Sequence, residues 1–233
     1  MKREVFFMFS EEVLQNFFTS ATGQITVAIV TVLILLVFIA ILNKHQALTV
    51  QSLTYSAVAI TMSVVLSQFK LMRLPQGGSV TPFSMLFIIL IGYWFGTLPG
   101  VLAGISLGLI KLILGPYVVH PLQILLDYPL AFGALGLSGL FQKNEHNGLF
   151  FGLFSGTFAR FIFAFLSGYI FFAMYTPEGW HPVTYAIVYN ISYIGVETFL
   201  TALLLMIPGV RHAIYYVKNN ITTPSQTKAT IQK

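Results

Sequence analysis

Residues 149–175 read LFFGLFSGTFARFIFAFLSGYIFFAMY, twenty-seven positions interrupted by a single charge, Arg160. A bilayer core about 30 Å thick takes about 20 apolar residues in helical form, so this stretch crosses a membrane with residues to spare. Outward from it, runs with at most one charge each recur at 25–42, 53–69, 82–95, 99–114, 121–141 and 184–207. They predict an all-α membrane protein of seven helices, one N-terminal span and a core of six from about residue 50. Pro82 is expected in the first turn of its helix and Pro208-Gly209 is expected to close the last. Only Gly96-Thr97-Leu98 separates 82–95 from 99–114, which predicts a tight antiparallel pair.

The composition agrees. The chain has 233 residues, 56% hydrophobic and 8% charged, with a mean hydropathy of +0.82. A soluble domain needs roughly a quarter of its residues charged to cover its surface. The net charge of +5 comes from scattered residues rather than a basic stripe, which argues against a nucleic-acid partner. The alternation of a transmembrane barrel is absent. Three segments are expected: 1–48 with the extra span at about 25–42, a membrane domain at 49–212, and a polar cytoplasmic tail at 213–233, with 219–233 predicted to be disordered. Glu4, Glu11 and Glu12 precede the first span and no small-residue cleavage site follows it, so it reads as a retained helix. With the tail inside, Lys44, Lys143, Arg211, Lys218, Lys228 and Lys233 are cytoplasmic, against Lys2, Arg3, Lys70 and Arg73 outside. Gly100, Gly104 and Gly108, and again Gly148, Gly152 and Gly156, recur at the spacing of helix-packing stripes, and internal contacts are expected for both.

Enzyme chemistry finds no support. Without cysteine there is no disulfide, thiolate nucleophile or Cys-ligated metal. His45, His120, His146, His181 and His212 are dispersed, and neither a phosphate-binding GxxxxGK[ST] loop nor a GxSxG elbow occurs. The chain therefore cannot hydrolyse ATP, and no cofactor is implied.

Four ionisable residues fall within spans: Lys111, Asp127, Arg160 and Glu197. Such groups are costly in lipid and point to function by default. Lys111, near a span end, is expected to snorkel, and Arg160 and Glu197 to form a structural ion pair or serve transport. Asp127 stands among Tyr117, His120, Gln123 and Tyr128, with Gln123 one helical turn before it on the same face. A carboxylate flanked by phenols suits a ligand with amino donors and a cationic or aromatic ring. The polar loop 75–79 and the aromatic loop 174–182, with Glu178, Trp180 and His181, fall with 114–120 at one face, where they would close a pocket. Trp94 and Trp180 would serve equally as interface anchors.

The stretches LPQGGSV at 74–80 and HPLQILLDYPLA at 120–131 resemble the thiamine-specific S component of energy-coupling-factor vitamin transporters. Arg160-Phe161, Ser167-Gly168, Phe171-Phe172, Tyr185 and Asn190 continue that resemblance in order, over about 51–210. It implies a six-helix core that binds thiamine from outside with high affinity. It also implies partners: a transmembrane coupling subunit and two cytoplasmic ATPase subunits. By the same resemblance Asp127 takes the aminopyrimidine, Tyr117, Tyr128, Gly168, Tyr185 and Asn190 line the pocket, Phe172 stacks on a ring, and Gln76 and Ser79 belong to a lid at 75–79. Ala59 and Ser63 are the expected docking residues for the coupling subunit, with Ala57 and Thr61 as equivalent candidates. The chain departs from the family at Ala164, where members carry His. Either Phe163 or Phe165 compensates, or the ligand is a thiamine relative such as a hydroxymethylpyrimidine. A stand-alone ion-coupled carrier using Asp127, Arg160 or Glu197 is the competing function, and a membrane enzyme a third.

Overall fold

The computed structural model describes residues 48–144 and 147–222, with Ser20, Thr22, Gly23, Thr26, Ile29 and Leu33. The extra span expected at 25–42 lies outside the described residues at all but three positions, as does the tail beyond 222.

Helix α1 (Val50–Gln68) starts at a reciprocal cap, in which the Ser52 amide donates to Thr49 Oγ1 and the Thr49 amide to Ser52 Oγ, both at 3.0 Å. Its buried stripe is Ser52, Ala59, Ser63 and Ser67, while Val50, Leu53, Val58 and Val65 are exposed. In lipid the outer face gains nothing by being polar, so small residues mark the side that packs. Ala59 and Ser63 are therefore internal: Ser63 is fully buried, which is incompatible with the docking surface expected of that pair. Ala57 and Thr61 lie on the exposed face.

A short hairpin follows, β1 (Met72–Arg73) antiparallel to β2 (Ser79–Val80), with Met72 opposite Val80 and Arg73 opposite Ser79. Helix α2 (Leu86–Phe95) is short, but Ile88, Ile89, Ile91 and Tyr93 have no exposure at all, so it forms the centre of the core. It turns at Gly96 (φ 98°) into α3 (Thr97–Ile113), the tight pair that the sequence predicts. Then come α4 (Pro121–Phe141), α5 (Gly148–Phe171) and α6 (Pro182–Met206). With α1, these three are long and apolar enough to cross a membrane, while α2 and α3 are shorter apolar helices. The chain is a multi-pass membrane protein.

Both glycine stripes are internal. A Cβ on Gly104 would stand 2.2 Å from the Phe132 carbonyl oxygen, and one on Gly108 would stand 2.4 Å from that of Tyr128. The backbones of α3 and α4 thus touch. The second stripe meets α4 in the same way, with a Cβ on Gly156 falling 2.6 Å from the Leu135 carbonyl.

Three expectations need correction. Pro208-Gly209 ends α6 but also starts α7 (Pro208–Thr222), so the boundary expected at 212 falls inside a helix, and 219–222 are helical rather than disordered. Ile214 of α7 is buried, and Trp94 donates to its carbonyl at 3.2 Å, so Trp94 ties α7 to α2 rather than anchoring in an interface. Pro82 precedes α2 instead of entering its first turn, because Phe83 takes φ 59° and interrupts the helix.

A left-handed Phe costs of order 1–3 kcal/mol and persists only where its surroundings fix it. Glu197 does so. Its Oε2 accepts from the Thr81 amide (3.4 Å) and hydroxyl (2.8 Å), and its Oε1 from the Ser84 hydroxyl (2.9 Å) and the Met85 amide (3.0 Å). The carboxylate thereby caps α2 from outside. Glu197→Gln leaves only one full acceptor oxygen for four donors. We predict a loss of about 2 kcal/mol, read as a lower thermal midpoint of the purified protein in detergent. An unchanged midpoint would show that these bonds do not hold the turn.

Candidate substrate cavity

A cavity of about 390 Å³ opens at one end of the bundle, walled by the end of α1, the hairpin, the 114–117 loop and facing stretches of α3, α4, α5 and α6. All nine residues expected to meet a ligand line it: Gln76, Ser79, Tyr117, Asp127, Tyr128, Gly168, Phe172, Tyr185 and Asn190. Its size falls in the range of small-molecule sites.

Asp127 is placed by an irregular backbone. Pro129 cannot donate to a regular helical ladder, and α4 widens into a π turn over Leu126–Leu130. Gln123, itself buried, donates to Asp127 Oδ2 at 2.6 Å and to the Tyr117 carbonyl at 3.0 Å, and accepts from the Val119 amide at 3.1 Å. One amide side chain therefore fixes both the carboxylate and the loop before α4. The Tyr117 amide donates to the Tyr128 hydroxyl at 3.0 Å, and the Tyr117 and Tyr175 hydroxyls meet at 3.2 Å. That last bond, and then burial, push the Tyr117 phenol above its ordinary pKa. The Tyr117 ring stacks on Phe172 at 5.9 Å.

The opposite wall is α6. Its π turn, Ile191–Gly195, follows Asn190 directly. Asn190 donates to the Ala186 carbonyl at 2.8 Å and the Ala164 carbonyl at 3.3 Å, and accepts from the Tyr193 hydroxyl at 2.9 Å. Gly168 lets α5 close on it: a Cβ there would lie 3.1 Å from Asn190 Nδ2. Ala164 lines the cavity, whereas Phe163 packs on the cluster around Leu126 and Leu130, and Phe165 stacks between Phe161 and Tyr169. Neither phenylalanine reaches the cavity wall to compensate for Ala164.

Sequence patterning alone does not single out Tyr189 and Tyr193, which line the cavity with Tyr185 at successive turns of α6. Their spacing of four is the one signal that could find them. Tyr185 donates to Gln76 Oε1 at 3.3 Å; the Tyr189 hydroxyl accepts from the Gly78 amide at 3.0 Å and donates to the Pro75 carbonyl. These bonds hold the turn of the hairpin, where Gln76 takes φ 56° and Gly77 φ 89°. Lys111, Arg160 and Glu197 also line the cavity. The expected Arg160–Glu197 ion pair is absent: the Arg160 guanidinium lies 4.2 Å from the Phe132 ring centroid instead. Glu178, Trp180 and His181 do not line the cavity.

The family model for thiamine transporter proteins matches residues 53–216. The chain belongs to the thiamine transporter family. It is 28% identical over 176 residues to the thiamine transporter ThiT of Bacillus subtilis, covering 70% of this chain and 90% of that one. It is 34% identical over 131 residues to ThiT of Lacticaseibacillus paracasei, covering 49% and 64%. A solved structure of ThiT from Listeria monocytogenes superposes with a TM-score of 0.59 at 24% identity, over 68% of this chain and 96% of that chain, which shows the shared fold. With its membrane-spanning helices, this member of the family is a multi-pass protein of the cell membrane.

Removing the Tyr189 hydroxyl removes both of its bonds to the turn. We predict that Tyr189→Phe lowers hydrogen-exchange protection of the Gly78 amide about fivefold, the equivalent of ~1 kcal/mol. Unchanged protection would mean that the turn is held by something else.

Proposed function

We propose that the chain is the thiamine-binding membrane subunit of an ATP-driven importer, and that the cavity around Asp127 is its high-affinity site. The observation that carries this reading is the convergence on one cavity of an Asp127 carboxylate fixed by Gln123, stacked aromatic rings at Tyr117 and Phe172, and a tyrosine-held hairpin turn. A carboxylate offers acceptor sites to the amino group and ring of an aminopyrimidine. Aromatic faces attract a thiazolium cation. The hairpin turn supplies a lid that closes over the ligand after entry from outside.

Energy enters through other proteins. The sequence has no nucleotide-binding loop, so ATP hydrolysis falls to two cytoplasmic ATPase subunits joined through a transmembrane coupling subunit. The exposed face of α1 carrying Ala57 and Thr61 is the docking surface in this reading, since Ala59 and Ser63 are buried. Thiamine remains the leading ligand over its hydroxymethylpyrimidine half, because the aromatic rings beyond Asp127 give a second ring something to pack on.

Asp127→Asn exchanges a charged acceptor for a neutral amide. A charge-assisted hydrogen bond contributes ~1.5–3 kcal/mol, so thiamine affinity, measured by calorimetry on the purified protein, should fall about ten- to a hundredfold. Unchanged affinity in a folded variant would remove Asp127 from the site. Uptake into vesicles that continues without ATP or partner subunits would instead favour a self-sufficient carrier.

A further inference from the structure

Gln123 is a polar side chain sealed inside the bundle, 1% exposed, one helical turn before the cavity carboxylate. An amide has two N–H donors and one acceptor oxygen, and here each has a partner. Nε2 donates to Asp127 Oδ2 at 2.6 Å and to the Tyr117 carbonyl at 3.0 Å, while Oε1 accepts from the Val119 amide at 3.1 Å. An ionised carboxylate and a carbonyl only accept, and a backbone amide only donates. Turning the group over would set oxygen against two acceptors and nitrogen against a donor, so the side chain has a single orientation.

Those partners belong to two different ends of the cavity. The chain from 115 to 119 is irregular. Helix α3 ends where the Leu114 amide donates to the Ile110 carbonyl at 3.1 Å, and α4 begins where His120 Nδ1 accepts from the Leu122 amide at 3.1 Å. Between these ends, among the described residues, three hydrogen bonds tie the backbone to α4: two to Gln123, and one from the Tyr117 amide to the Tyr128 hydroxyl. The loop in turn sets the Tyr117 ring against Phe172. One buried amide thus stands between the carboxylate of the cavity and its aromatic wall. Linked hydrogen bonds strengthen one another in low-dielectric surroundings, and losing one partner leaves the others unsatisfied.

We propose that Gln123 is a positioning residue that couples the two ends of the cavity, so that a ring seated at Asp127 strengthens the seat of a second ring at Tyr117. This rests on the reading of the cavity as a thiamine site. A ligand with both rings gains from the coupling. Its pyrimidine half, hydroxymethylpyrimidine, reaches Asp127 and gains nothing at Tyr117. Gln123 therefore favours two-ring ligands over one-ring ligands, although its own polar atoms are all occupied within the protein.

Gln123→Met keeps the length of the side chain and removes its hydrogen bonds. Calorimetry on the full-length protein in detergent compares thiamine with hydroxymethylpyrimidine, the latter by competition. Hydroxymethylpyrimidine should lose about tenfold in affinity, for the carboxylate, and thiamine about a hundredfold, for both ends, so that their ratio narrows about tenfold. Damage to the fold lowers the number of binding sites and leaves that ratio unchanged. Adding Tyr117→Ala removes the ring, and in that background Gln123→Met should cost both ligands the same factor. An unchanged ratio in Gln123→Met overturns the proposal, as does a narrowing that persists without the Tyr117 ring. Failure of hydroxymethylpyrimidine to bind where thiamine does overturns it too, and leaves the thiamine site standing. Should the variant not fold, the wild-type protein supplies the test. Saturating hydroxymethylpyrimidine should raise hydrogen-exchange protection of the Val119 amide about threefold, and unchanged protection overturns the coupling. If neither ligand binds, the thiamine reading falls, and this inference with it.

Discussion

The backbone of α3 lies directly on the backbone of α4, and the cavity depends on that contact. Gly104 and Gly108 admit the Phe132 and Tyr128 carbonyls at distances where any side chain would clash. In a bilayer there is no hydrophobic gain from bringing two apolar helices together, so close packing of small residues supplies the association. With α4 seated this way, its π turn carries Asp127 and Tyr128 to the cavity wall, and its Phe132 ring meets Lys111 from α3 and Arg160 from α5. Polar function is thus built at the seam where the fold is tightest.

On that frame, buried polar groups are handled in two ways. Glu197 is saturated by local donors and serves the fold, stabilising a turn whose Phe83 backbone is strained. Asp127 is fixed by one side-chain donor from a neighbouring turn and still faces the cavity. The two carboxylates are alike in sequence, each alone in an apolar span, and both line the cavity, but Glu197 is taken up by the donors of the 81–85 turn. The hairpin turn is of mixed character: its own backbone is left-handed at Gln76 and Gly77, and tyrosine hydroxyls from α6 hold it down.

Much of this is legible in the order of the amino acids. The core spans follow from runs of apolar residues, and the Gln123–Asp127 contact from a spacing of four. What is not legible has physical causes. In lipid the core and the surroundings are equally apolar, so hydropathy does not tell the inner face of α1 from the outer, and Ala59 and Ser63 read as a docking stripe although they are buried. Strands of two residues leave no periodic trace, so β1 and β2 read as a loop. Residues 213–222 of α7, with Lys218, Asn219 and Asn220, read as the start of a polar tail, but the helix's apolar residues Val210 and Ile214 pack on the bundle. Tyr189 escapes notice because its role is to bond the backbone of a distant turn, which no local pattern announces.

If Asp127 and the rings around it receive thiamine, a structure of the purified protein bound to thiamine, by crystallography or electron microscopy, shows it most directly. The aminopyrimidine should lie within hydrogen-bond distance of the Asp127 carboxylate, beneath the 75–79 turn. Thiamine bound elsewhere on the molecule, with Gln123 still the group that engages Asp127, would contradict it.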